Sequence, residues 1–104
     1  MTNNEFFETI YKPYQECHMT AGTCYSRCSI IKNRLLESRG HEKLSDISNM
    51  DINSIYEEME LQKYAQNTLF GTYAALLSFF KMAVELGEID DNPVSLAKTI
   101  RQER

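Results

Sequence analysis

Four side chains near the N-terminus, Cys17, His18, Cys24 and Cys28, are of the types that hold zinc. Convergence of all four would make a structural metal site. Their spacing allows a second arrangement. Cys24, Cys28, Ile31 and Leu35 follow i, i+4, i+7, i+11, so two of the cysteines continue an apolar helical stripe. Free cysteine is among the most buried residue types. The stripe is the better account, and neither a metal nor a cofactor is expected. An odd count of 3 cysteines, with no secretion signal, argues for reduced thiols in a cytoplasm. His41 has no His, Cys or acidic partner at catalytic or metal-binding spacing and reads as a loop residue.

The other chemistry on offer is electrostatic. A net charge of −4 at first argues against nucleic acid, because phosphates attract basic residues. The distribution matters more than the sum. Residues 20–43 carry Arg27, Lys32, Arg34, Arg39 and Lys43 against Glu37 and Glu42. Residues 44–62 carry acids and no base, whereas residues 63–81 carry Lys63 and Lys81 and no acid. The acids return at 82–92, and Lys98, Arg101 and Arg104 close the chain. The sign therefore alternates segment by segment, so two basic segments can share a face while the acids sit elsewhere. On a helical wheel Thr23, Ile30, Arg27 and Arg34 fall together on one flank of the cysteine stripe, with Lys32, Arg39 and Tyr25 on the other. Hydroxyls and arginines near a helix N-terminus can contact phosphates. A plain solvated face is the competing account.

The elements that must position these residues are helical. Between Leu69 and Leu86 the only charges are Lys81 and Glu85. Leu69, Tyr73, Leu76, Phe80 and Ala83 form one apolar row, and Phe70, Leu77 and Val84 lie beside it. Two adjacent rows make a helix with neighbours on more than one side. Thr72, Tyr73, Ser78 and the two charges argue against a membrane span. Asn67 or Thr68 is the expected N-cap, and Gly87 suits a left-handed C-terminal cap.

Around this central helix the chain reads as an all-α bundle of four to five helices in one domain. Thr2 to Glu5 fits a capping box that opens a first helix, with Phe6, Phe7, Ile10 and Tyr11 inward and Pro13 kinking or ending it. A second helix runs from Thr20 or Thr23 to Arg39 and stops at Gly40. Leu44 and Ile47 anchor a polar connection, and Asp51 caps a third helix to about Gln62. Asn92 and Pro93 open a short fifth helix to about Gln102, anchored by Leu96 and Ile100.

Thr68, Ala75-Leu76, the run Phe79 to Glu85, Gly87, Ile89 and Asn92-Pro93 form an ordered pattern over 26 residues. It resembles the N-terminal core-binding (SAM-like) domain of tyrosine recombinases, the phage-integrase family. Upstream, Thr23 with Tyr25, then Leu35-Leu36, Gly40, Leu44, Ile47 and Asp51-Ile52, extend the resemblance. It spans roughly 80 of the 104 residues.

The resemblance implies a domain that clamps the core recombination site of double-stranded DNA together with a separate C-terminal catalytic domain. The parent protein would carry out DNA integration or excision for a phage or other mobile element. Two helices would lie on the major groove, corresponding here to Thr20–Arg39 and Thr68–Gly87. The implied DNA-facing positions are Thr23, Ser26 and Arg27 on the second helix, and Asn67, Thr68, Gly71 and Thr72 on the central one. Lys63, the base that opens the acid-poor stretch, joins them. Gly71 and Leu77 stand where family members often carry Arg, Lys, Asn or Gln, which implies little base discrimination. The family's His-x-x-Arg pattern and later Tyr motif are absent, so none of the 6 tyrosines is expected to act as nucleophile. The chain is expected to be a monomeric, non-catalytic fragment. Its partners would be DNA, the catalytic domain and other recombinase protomers, with no membrane. A helical protein-interaction module without DNA binding is the alternative.

Overall fold

In the computed structural model, which describes residues 1–101, the chain folds into four helices and a closing C-terminal segment. Helix α1 covers residues 3–18 as α-helical Asn3–Phe6, a wider π-helical stretch Phe7–Tyr11, and α-helical Lys12–His18. Helix α2 covers residues 21–39, again with a π-helical stretch, Lys32–Leu36, between Ala21–Ile31 and Glu37–Arg39. Helix α3 is Asn49–Leu61 and helix α4 is Gln66–Glu85. At 1.5 Å per residue α4 is about 30 Å long, close to the molecule's greatest extent of 33 Å. No described helix is long and apolar enough to cross a membrane.

The expected capping box opens α1: Thr2 Oγ1 accepts from Glu5 N–H, and Glu5 Oε1 accepts from Thr2 N–H. Hydrogen bonds from Thr2 hold the Glu5 carboxyl below its ordinary range. Pro13 does not end the helix. The widened turn just before it leaves room for a residue with no N–H, and α1 continues to His18.

Thr20, not Thr23, caps α2. Ser48, not Asp51, caps α3; Asp51 instead returns the reciprocal bond, its Oδ2 accepting from Ser48 N–H at 2.9 Å. Helix α4 begins earlier than Asn67 or Thr68, with Ala65 as N-cap and no side-chain cap bond. Its far end matches expectation. Gly87 has φ 75°, Glu88 N–H donates to Ala83 O and Gly87 N–H to Val84 O, the paired bonds of a Schellman motif.

The core lies where α1, α2 and α3 meet α4. Phe79 is at its centre, edge-on to Phe6 at 5.2 Å and to Phe80 at 5.0 Å, with Tyr11 at 5.3 Å. Leu44 and Ile47 are buried as the sequence predicts. Cys28 is buried and Cys24 half-buried, in line with Ile31 and Leu35, which places the stripe against the core. Cys17 is exposed.

The N-terminus is clasped to the α2–α3 connection. Asn3 N–H donates to Glu42 O, Asn4 N–H to Gly40 O, and Leu44 N–H to Met1 O. The buried Asn3 amide donates to Arg39 O, a carbonyl at the end of α2 that also accepts from Glu42 N–H.

The predicted fifth helix is corrected to turns. Asn92 Oδ1 accepts from Val94 N–H at 2.9 Å, as an N-cap would, but among the described residues only Ser95 to Asn92 and Ala97 to Val94 backbone bonds follow. The other half of the Asn92 amide donates to Leu77 O, pinning the segment to α4. Val94 and Ile100 are the anchors, whereas Leu96 is 65% exposed. The expected end of that helix, Gln102, lies outside the described residues, as does Arg104.

Candidate nucleic-acid interface

Helices α2 and α4 pack antiparallel. Arg34 lies against Tyr64, just before α4; Ile30 lies beside Gly71; Arg27 shares a groove with Ala74 and Ser78. The predicted residues are therefore strung along the helix pair and do not gather at one point. Lys63, Asn67 and Thr68 mark one end, and Thr23, Ser26 and Arg27 the other. From Thr23 to Arg34 the rise along α2 is roughly 16 Å.

Their exposure differs. Thr23, Ser26, Lys63, Asn67 and Thr68 are exposed, and Arg27 is half-buried. Thr72 departs from the expected face. It is 1% exposed, and its hydroxyl donates to Thr68 O one turn back. At period 3.6, residue 72 falls on the same side of α4 as Leu69, Leu76 and Ala83, all of them buried.

Arg27 does not point freely outward. Its Nη1 donates to Gln15 Oε1 at 3.4 Å, from α1, and Gln15 is 1% exposed. The two line a groove of about 490 Å³ between the end of α1 and α4. Phe70, Tyr73 and Leu77 form its apolar wall, and Lys81 and Glu85 stand at its edge. Below it, the Tyr11 hydroxyl meets Ser78 Oγ at 3.2 Å. Burial pushes the Tyr11 phenol up, partly offset by the Ser78 bond and by the Arg27 charge.

At the other end the Arg34 guanidinium sits 4.5 Å from the centroid of the Tyr64 ring, a cation–π contact. Lys63, next to it, has φ 61°. It occupies the left-handed position of a second Schellman motif, with Tyr64 N–H donating to Met59 O and Lys63 N–H to Glu60 O. A side chain in that conformation costs about 1 kcal/mol relative to glycine. Lys63→Gly should therefore raise stability by about 1 kcal/mol and the melting temperature by about 4–8 °C. A thermal melt checks this; an unchanged midpoint would mean the turn carries no strain.

Arg34, which the wheel places beside Arg27, was not among the residues expected to face DNA. Gln15 gave no signal, because an amide within an aromatic-rich helix looks like surface until α2 is packed over it. Cys24 and Cys28 Sγ are 4.0 Å apart, and no group of three or more His, Cys, Asp or Glu converges on one point among the described residues. Burial and the adjacent Cys24 push the Cys28 thiol up to about 11, so it stays protonated at neutral pH.

No protein-family model and no curated protein matches the chain. Its structure is similar to the solution structure of a phage integrase SAM-like domain from Moorella thermoacetica. The TM-score is 0.84 at 18% identity, over 99% of this chain and 88% of that one. At that identity the likeness is one of fold, and it establishes the all-α SAM-like architecture.

Proposed function

We propose that this domain binds double-stranded DNA through the α2–α4 flank, as the core-binding part of a site-specific tyrosine recombinase. The observation that carries the reading is the placement of Arg27 and Arg34 on the flank of α2 that packs antiparallel to α4, with Lys63 in the turn just before α4. Of the acids of α3, Glu57, Glu58 and Glu60, only Glu58 shares a cleft with Arg34, without an ion pair. In this reading Thr23 and Ser26 at one end, and Asn67 and Thr68 at the other, offer short hydroxyls and amides for phosphate contacts. Gly71 and the half-buried Leu77 offer no base-reading group. Binding is therefore salt-dependent with little sequence discrimination. Chemistry would belong to a separate catalytic domain, which this domain would help to place on the core site.

The test is fluorescence anisotropy of the chain with a short duplex at low and moderate salt. The wild type should bind, and Arg27→Ala combined with Thr68→Ala should weaken binding by about tenfold with helicity unchanged. The slope of log K against log salt should become shallower by about one, for one lost phosphate contact. Equal binding by the double variant sinks this face. No binding at low salt, repeated with the catalytic domain restored, favours the second reading. That reading is a helical protein-interaction module, supported by the apolar wall of Phe70, Tyr73 and Leu77 beside the α1–α4 groove.

A further inference from the structure

The two half-buried arginines of the α2 flank have an unusual kind of partner. The chain has 15 acids against 11 bases, so a structural arginine would find a carboxylate readily. Arg39 does so, lying 3.6 Å from Asp51 and 4.0 Å from Glu42. Lys98 does so too, 3.0 Å from Glu60. Arg27 and Arg34 form no ion pair among the described residues. Arg34 shares a cleft with Glu37 and Glu58, yet neither comes within ion-pair distance. Each of the two arginines is held by a neutral group instead: Arg27 by the Gln15 amide oxygen, Arg34 by the face of Tyr64.

The chemistry of that choice is specific. A carboxylate would fix the side chain and cancel its charge. An amide oxygen or a ring face fixes the side chain and leaves the charge in place. The holders come from outside the helix pair, Gln15 from α1 and Tyr64 from the α3–α4 connection, so the fold itself sets the side-chain directions. Arg27 and Arg34 are seven residues apart, about 10 Å along the axis, on one flank of α2. That separation is comparable with the ~12 Å width of a major groove.

We propose that Gln15 and Tyr64 are positioning residues that hold Arg27 and Arg34 as a preset pair of uncancelled charges for two backbone phosphates of one DNA duplex. This rests on the DNA-binding reading above and adds two residues that touch no DNA. Arginine loses rotamer freedom when it binds; a pair already held in place loses less.

The experiment measures duplex affinity and its salt slope for the chain and a set of variants, with circular dichroism to confirm helicity. Arg27→Ala with Arg34→Ala should reduce the slope by about two. Gln15→Met keeps the buried volume and removes the acceptor. Tyr64→Leu removes the ring face. Each should weaken binding about two- to tenfold, the range expected for releasing one ordered side chain. Tyr64→Phe should match the wild type, because the ring supplies the contact. Gln15→Glu should lower both affinity and slope, by about one charge, because a carboxylate there cancels Arg27. A merely structural role for Gln15 would leave the salt slope of Gln15→Glu unchanged. If the arginine pair matters but Gln15→Met and Tyr64→Leu bind like the wild type, the positioning proposal is wrong and the binding reading stands. If the wild type binds no duplex even with the catalytic domain restored, both fall together.

Discussion

Phe79→Ala should destabilise the domain by about 3–5 kcal/mol, the largest loss expected from any single side chain here. Phe79 is fully buried and meets three other aromatic rings, Phe6, Tyr11 and Phe80, at centroid distances of 5.0 to 5.3 Å. Truncation removes the transfer free energy of the ring and leaves a cavity that α1 and α4 cannot close without moving their axes. The edge-on contacts add about 0.5–1.5 kcal/mol each beyond burial, and all three end at once. A domain of this size has a total stability on the order of 5–15 kcal/mol, so the variant would sit near its unfolding threshold. Urea denaturation followed by circular dichroism checks this. Phe79→Leu, which refills part of the volume, should lose clearly less. A loss below about 1 kcal/mol for the alanine variant would show that the rings do not form the centre of the core.

Gly40→Ala should cost about 1–3 kcal/mol, the range for forcing an extra group into a packed site. The reason is contact and not backbone conformation. Gly40 has φ −61°, which any residue adopts. A Cβ there would press against Asn4 Oδ1 and stand 2.5 Å from the Leu36 carbonyl oxygen. The Asn4 amide is a side chain on an exposed residue and can swing away; the Leu36 carbonyl is backbone and cannot. Relief then has to come from opening the last turn of α2, where Gly40 N–H donates to Leu36 O, and that shifts the Gly40 carbonyl to which the N-terminus is clasped. Amide exchange at Asn3 and Asn4, whose N–H groups donate to Glu42 and Gly40, should accelerate in the variant. Removing the Asn4 amide together with Gly40→Ala should recover only part of the loss. Gly87→Ala is the contrasting control. Open space surrounds Gly87, but φ 75° penalises a side chain by about 1 kcal/mol. Its loss should appear without any change in exchange at Asn3 and Asn4. Unchanged stability of Gly40→Ala would mean that the connection relaxes freely and the clasp is not a constraint.

The arginines of this acidic chain differ in their partners. Where an arginine serves the fold it pairs with carboxylates, as Arg39 does across the α2–α3 corner. Where it lies on the α2 flank facing α4, its partner is neutral. Net charge governs solubility and long-range attraction; at a local surface it matters which charges lack a direct ion-pair partner, and Arg34 has none among the described residues although Glu37 and Glu58 share its cleft.

The sequence by itself determined what depends on periodicity and local capping. Rows at 3.6 spacing located the central helix and its neighbours, because an apolar stripe has nowhere to go but a core. The Thr2–Glu5 box, the αL turn at Gly87 and the Leu44 and Ile47 anchors were legible for the same reason: each bond or burial lies within a few residues. What only the tertiary structure decided needed two distant segments at once. Thr72 looked as available as Thr68 until α4 was turned so that residue 72 faced inward. Asn92-Pro93 had a helix-opening pattern, but pinning the Asn92 amide to Leu77 O, and burying Val94 and Ile100 rather than Leu96, gave turns instead. The partners of Arg27 and Arg34 lie 12 and 30 residues away along the chain. A neutral amide or ring at such a distance has no pattern in one dimension, because the choice between a cancelled and an uncancelled charge is made by whichever side chain the packing of the helices brings alongside.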